Sequence, residues 1–237
     1  KYTMSITING QLSLTMLMEK LVQKFNVKMC MLNTDGLEFI VKRKYLDAVN
    51  ELVSKWEKYV GLQMEGVFYD HMYIRDVNNY IGIFDNGEIK HKGQYVYEGL
   101  GWHQNHSALV IPMAVEHEVL GRGTVEDFIK NHRDPYDFLL STKVPRSSRL
   151  VLVSECGLDI DLQNICRYYP STTKGKLVKI MPPLEEGGEE RRLGIMTDWD
   201  VKVCNNMKDF TWEINYDYYI SEALKLLEPF GIKREIN

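Results

Sequence analysis

No stretch of the chain reaches the ~18 consecutive apolar residues that a membrane helix needs. The first residues, Lys1-Tyr2-Thr3-Met4, lack the basic-then-apolar plan of a secretion signal. Paired cysteines are missing too. Cys30, Cys156, Cys166 and Cys204 stand singly, with no C-x-x-C step to suggest zinc, and a reducing, cytoplasmic setting is the simpler expectation. Cys30 sits in an apolar run and is expected to be a small buried hydrophobe. There is no internal repeat. No initiator Met opens the chain, which reads as a fragment or a processed product. Strong basicity is also lacking: the formal net charge is −4, which argues against a dedicated nucleic-acid binder. The charge is uneven, however. Residues 1–60 hold nine Lys/Arg and six Asp/Glu, a net of +3, while residues 181–237 hold seven and twelve, a net of −5. A local groove can therefore still be basic.

What is present is a globular composition. The 237 residues, 44% of them hydrophobic, suffice for one large domain or two modest ones. Residues 11–25 carry apolar side chains at helical spacing. Residues 28–32 and 37–41 flank Asn33-Thr34-Asp35-Gly36 as two strands around a tight turn. Tyr45 to Tyr59 returns to helical period and Gly61 stops it. Residues 64–74, 79–84 and 89–97 read as strands, with Asp85-Asn86-Gly87 as a hairpin turn. Gly99-Leu100-Gly101 marks a boundary. Beyond it, 103–119 reads as a helix with Pro112 near its first turn or kinking it. Thr124 or Gly123 caps another helix, with acids in its first turn. Residues 148–154 and 165–180 look extended, 182–194 a mobile loop, and 216–228 a last helix. The expected class is α+β: an antiparallel sheet with helices on one face over 1–98, then a largely helical unit with a small β portion over 99–237.

Asp35 has two readings. Asp favours tight turns for local reasons. A hairpin turn also projects one carboxylate from a rigid sheet, as two-metal phosphoryl transfer requires. Mg²⁺ takes one or two carboxylates with phosphate and water, so Asp35 would be half of such a site.

The ordered neighbours of Asp35 resemble the C-terminal part of a family B DNA polymerase, closest to its phage branch. Met29-Cys30-Met31-Leu32-Asn33-Thr34-Asp35-Gly36-Leu37 is similar to the family's catalytic hairpin, with Asn33 in place of its first Asp. Ser5-Ile6-Thr7-Ile8-Asn9-Gly10-Gln11 looks like the segment before the helix that leads to that hairpin, with Gln11 where Arg is usual. Tyr73-Ile74-Arg75-Asp76-Val77-Asn78-Asn79-Tyr80-Ile81 is similar to the Lys-x-Tyr strand that touches primer–template, Tyr80 matching the Tyr and Asn78 standing at the Lys. Ile214-Asn215-Tyr216-Asp217-Tyr218-Tyr219-Ile220 resembles the aromatic segment leading into the last helix of the thumb. The resemblance implies a palm over 1–98 and a thumb over 99–237. It makes Asn33, Thr34 and Asp35 catalytic candidates, with Asp35 a ligand of a two-Mg²⁺ site. It also implies primer–template DNA and deoxynucleoside triphosphate as partners, together with the rest of the polymerase chain. The second carboxylate strand and the nucleotide-binding helix of the family are not in this sequence, so the chain alone is expected to be inactive. Tyr80, Asn78, Asn79 and Arg75 become DNA contacts.

Arg167, Tyr168 and Lys174, with Tyr169, Lys176 and Lys179, read either as a thumb surface on the duplex backbone or as a hairpin with aromatic cross-strand pairs and solvated lysines. Arg149 reads similarly as a phosphate contact. His103 and His106, i and i+3 beside Trp102, are expected to start a helix rather than to bind zinc. Asp159, Asp161, Asp198 and Asp200 are expected to be loop acids, and Glu185–Glu190 a solvated loop. Two other classes stay open: a non-catalytic DNA-binding accessory module, and another palm-type nucleotidyltransferase or cyclase.

Overall fold

The computed structural model describes residues 2–101, 103–185 and 187–232. Lys1, Trp102 and Glu186, which the sequence reading touches, lie outside them. The chain forms two compact units, Lys1–Lys92 and Gly93–Asn237, and is α+β in class.

In the first unit, two helices bury matching stripes. Helix α1, Tyr2–Phe25, contributes Leu14, Leu17 and Leu21; helix α2, Leu46–Val60, contributes Val49, Leu52 and Trp56. Both sets follow i, i+3, i+7, which places them on one helical face. The Trp56 indole donates to the Ser13 carbonyl at 3.0 Å, which ties the two helices. Helix α1 begins earlier than residue 11 and takes in Ser5–Gln11. Its buried stripe nucleates it, and a lone Gly10 is too small a penalty to stop propagation. Gly61 ends α2 in the left-handed region at φ 73°, where a residue without Cβ is unstrained.

The helices pack on the hairpin of strands β1, Lys28–Leu32, and β2, Leu37–Ile40, through Met29, Leu37 and Phe39. A separate three-stranded meander holds β3, Tyr69–Asp76, β4, Asn79–Phe84, and β5, Ile89–Lys92. The expected single sheet is therefore two. The β4–β5 turn is the expected Asp85-Asn86-Gly87, with Gly87 at φ 86°.

The second unit corrects the expectation of a largely helical half. Helices α3, Val110–Val119, α4, Val125–Asn131, and α5, Tyr216–Leu227, stand beside seven strands. Strands β7 (Arg149–Val153), β8 (Asp159–Leu162), β10 (Lys176–Met181) and β11 (Arg191–Gly194) form one sheet in the order β11-β10-β7-β8. Strands β6 (Leu140–Lys143), β9 (Ile165–Pro170) and β12 (Val201–Val203) form the other in the order β12-β9-β6. Leu150, Cys166, Tyr168, Leu177 and Val201 are buried together as a core. Asp159 and Asp161 are strand residues, not loop acids. They alternate with Ile160 and Leu162, and they pair outward with Arg192 at 2.7 Å and Arg149 at 3.3 Å. Arg191–Gly194, expected in a loop, is an edge strand for the same reason.

His103 and His106 precede α3 in a turn segment rather than starting it. The helix begins at Val110 because Pro112, lacking an N–H, fits only the first turn, where that donor has no intrahelical partner anyway. Thr124 caps α4 as expected, its hydroxyl accepting from the Asp127 amide at 3.1 Å. The unit begins before Gly99-Leu100-Gly101, because Tyr95 is fully buried and donates to the Leu226 carbonyl at 2.9 Å. No helix among the described residues is long and apolar enough to cross a membrane.

One close approach in the first unit is testable. A Cβ built on Gly82 would meet the Tyr69 ring at 2.6 Å. That ring lies across β4 and stacks on Phe84 at 4.9 Å. Gly82→Ala is expected to cost about 1–3 kcal/mol through overpacking, and Tyr69→Ala in the same chain is expected to remove most of that increment. A denaturant double-mutant cycle measures it; additive losses would show that the ring and Gly82 do not compete for the space.

Candidate functional site

The turn between β1 and β2 is held by one side chain. The Asn33 Oδ1 accepts from the Asp35 amide at 3.1 Å and the Gly36 amide at 2.6 Å, while the Asn33 amide donates to the Gly36 carbonyl at 3.0 Å. This is an Asx turn, and it makes Asn33 a turn lock. Its amide oxygen is occupied by these two bonds. An Asp there would accept the same two bonds. Thr34 and Asp35 are exposed, and the Asp35 carboxylate makes no hydrogen bond or ion pair among the described residues. It projects freely from a fixed turn.

A bulge in β1 decides what lies beside it. Met29 faces Phe39, but Met31 faces Glu38, so Cys30 is the extra residue and has no cross-strand partner. Cys30 is exposed, which corrects the expectation that it is buried. Met29 packs against the helices, and Met31 is buried opposite Glu38. Glu38, opposite the buried Met31, is itself half-buried, and its Oε2 is buried without a hydrogen-bond partner. Its carboxyl is held above the usual range, first by burial and further by Asp35, against the lowering pull of Lys92 and Lys90.

Those lysines come from β5. Lys92 faces Tyr80 and Lys90 faces Gly82 across the β4–β5 ladder, so both ammonium groups leave the same side of the sheet. Lys90 Nζ donates to the Tyr69 hydroxyl at 3.4 Å, and Lys92 Nζ lies 5.6 Å from the Tyr80 ring centroid. Burial draws the Lys90 pKa down, but the Tyr69 and Tyr80 hydroxyls outweigh it and leave the ammonium favoured. Glu38, Lys90 and Lys92 escape a motif-based reading. The available signals were a lone acid inside Leu37-Glu38-Phe39-Ile40-Val41 and a Lys-x-Lys alternation just after a hairpin turn.

The other candidates divide by environment. Arg75, Asn78 and Asn79 surround the β3–β4 turn. The Asp76 carboxylate accepts there from the Asn78 amide at 2.8 Å and from Asn79 Nδ2 at 2.9 Å, with Arg75 Nε at 3.9 Å. Tyr80 and Tyr168 are each 4% exposed, so neither ring offers a face for a base to stack on. Tyr168 belongs to the core of the second unit; the hairpin expected over that segment does not form, because β9 and β10 lie in different sheets. In that unit Lys174 pairs with Glu155 at 3.1 Å, and Arg149 pairs with Asp161 and Glu190 at 3.3 and 3.4 Å. Their charge is locally offset. Arg167 is exposed on β9 and forms no ion pair among the described residues.

Among the described residues no group of three or more His, Cys, Asp or Glu could hold a metal ion. Asp35 with Glu38 beside it offers at most two carboxylates. That donor set fits Mg²⁺, which completes its shell with water and phosphate oxygen, and not a metal caged by protein alone.

Two measurements probe this corner. Asn33→Ala should lose about 1 kcal/mol of stability with the turn bonds, whereas Asn33→Asp should keep the turn. Equal losses in both would contradict the lock. Glu38 has a folded pKa above its unfolded one, so the folded state holds the extra proton. Stability should therefore fall as pH rises from the ordinary carboxylate range through the raised folded value. Glu38→Gln should raise the melting temperature at pH 7, and the gain should vanish near pH 4. A gain independent of pH would refute the linkage.

Neither the protein-family models nor the curated proteins contain a match to this chain.

Proposed function

We propose that the chain is the C-terminal palm and thumb portion of a phage-type family B DNA polymerase, an enzyme that adds deoxynucleotides to a primer 3′ end on a template. The observation that carries this reading is the β1–β2 turn: the Asn33 side chain locks it through the Asp35 and Gly36 amides, and the Asp35 carboxylate projects from it exposed, with no hydrogen bond or ion pair among the described residues.

In this reading Asp35 is one metal-binding carboxylate and Glu38 stands behind it. The partner carboxylate and the nucleotide-binding helix belong to an earlier part of the polymerase chain. Bound Mg²⁺ supplies a lowered pKa at the primer hydroxyl and offsets charge on the leaving pyrophosphate. The chain's own part is to hold Asp35 rigidly through the Asn33 turn and to keep cations near the primer–template backbone. The DNA contacts are to phosphate and are not sequence-specific. A cytoplasmic location, that of the host cell if the chain is phage-encoded, goes with this function.

Primer extension by the polymerase chain with Asp35→Ala tests the reading. The loss expected exceeds the roughly 10–100-fold that removal of an outer-shell metal partner costs, with little change in melting temperature because Asp35 is exposed. Retained activity would end the assignment of Asp35 as a ligand. The 237-residue chain alone is expected to extend no primer, and extension by it would contradict a site divided between two parts of the chain.

A further inference from the structure

We propose that Asn86 is a site of self-modification: the Gly87 nitrogen closes a ring on the Asn86 side chain, ammonia leaves, and water opens the ring to an aspartyl or isoaspartyl residue. The chemistry does not depend on the function proposed above.

Two Asn-Gly steps occur in the sequence, Asn9-Gly10 and Asn86-Gly87. A following glycine favours ring closure, because no Cβ hinders its nitrogen and its backbone turns easily. The fold separates the two steps. Asn9-Gly10 lies inside α1, where the regular helical ψ keeps the Gly10 nitrogen away from the Asn9 side chain. Asn86-Gly87 lies at the exposed tip of the β4–β5 hairpin, with Gly87 at φ 86°. A Cβ built on Gly87 would meet nothing within 4 Å, so no neighbour confines the tip. One backbone bond holds the nucleophile, from the Gly87 amide to the Phe84 carbonyl at 3.0 Å. Such a bond at an exposed loop tip opens locally at little cost.

The electrophile is held and polarised. The Asn86 Oδ1 accepts from the Glu88 amide at 2.9 Å, and the Asn86 Nδ2 donates to Glu88 Oε2 at 2.9 Å. The first bond draws electron density from Cγ and supplies a donor to the oxyanion that forms as nitrogen adds. Once released from Phe84, the Gly87 nitrogen loses its proton to hydroxide and adds to Cγ. The Cγ–Nδ2 bond then breaks, and Nδ2 takes a proton from water and departs as ammonia. Water cleaving the ring at its Cγ–N bond leaves an aspartyl residue with a normal backbone. Water cleaving it at the backbone C–N bond leaves an isoaspartyl residue, whose main chain runs through Cβ and is one atom longer. Either product adds a negative charge next to Glu88 and removes the donor that bonds its carboxylate. The longer backbone also cannot span the turn without shifting the bond from the Phe84 amide to the Glu88 carbonyl, now 2.9 Å.

The test is peptide mapping by mass spectrometry of the 237-residue chain after incubation at neutral to alkaline pH, folded in one arm and unfolded in denaturant in the other. Unfolded, the two Asn-Gly steps should convert at similar rates. Folded, Asn86 should convert several-fold faster than Asn9, at a rate proportional to hydroxide, and yield both aspartyl and isoaspartyl peptides. Asn86→Gln, which would need a larger ring, should stay unmodified at that position while melting like the wild type. Protection of Asn86 equal to that of Asn9 in the folded chain would overturn the proposal. An aspartyl product alone would signify direct hydrolysis of the side chain and refute the ring closure.

Discussion

Burial of Leu17, Leu21, Val49 and Trp56 against one face of the β1–β2 hairpin fixes the direction of everything else on that hairpin. With Met29, Leu37 and Phe39 committed to the helices, the residues between them must point elsewhere. The bulge at Cys30 then moves Glu38 opposite Met31, and the turn carries Asp35 beyond the packed layer. The exposed carboxylate and the half-buried one thus follow from a packing constraint that involves neither. Each can be altered without dismantling the core that places them.

The two units handle charge differently. In the second, Arg149 and Arg192 are answered by acids of the same sheet, while Arg167 forms no ion pair among the described residues. In the first, the Glu38 Oε2 is buried without a hydrogen-bond partner, and Lys90 and Lys92 form no ion pair among the described residues. Total charge is a poor guide to partners when the charges of one sign are already spent on each other.

Much of the local structure was legible in the sequence. The hairpin around Asn33–Gly36, the end of α2 at Gly61 and the Thr124 cap each rest on a residue whose chemistry acts within four positions. What escaped reading depends on partners far along the chain. Glu38 matters because of Lys90 and Lys92, more than fifty positions on. Tyr80 was read as a contact residue from its place in a resembling motif and Tyr168 as an aromatic beside cations; neither signal reports burial. The helix expected from residue 103 failed because apolar spacing extended it past a proline that only its first turn tolerates. The strands of the second unit were underestimated because their acids resembled loop residues; on a strand, the same acids pair with arginines on other strands or edges of the sheet.

Those pairs have a further effect. Strands β11 and β8 are the two edges of their sheet, about 14 Å apart across three strand spacings if the sheet were flat. Yet Arg192 on one edge forms a two-bond contact with Asp159 on the other, at 2.7 and 2.8 Å. The sheet is drawn around toward itself, and its unpaired backbone rims are crossed by charged side chains. Open rims of this kind invite strands from another molecule. Such exposed ion pairs weaken with salt, so this edge-to-edge contact contributes little to the folding of the unit.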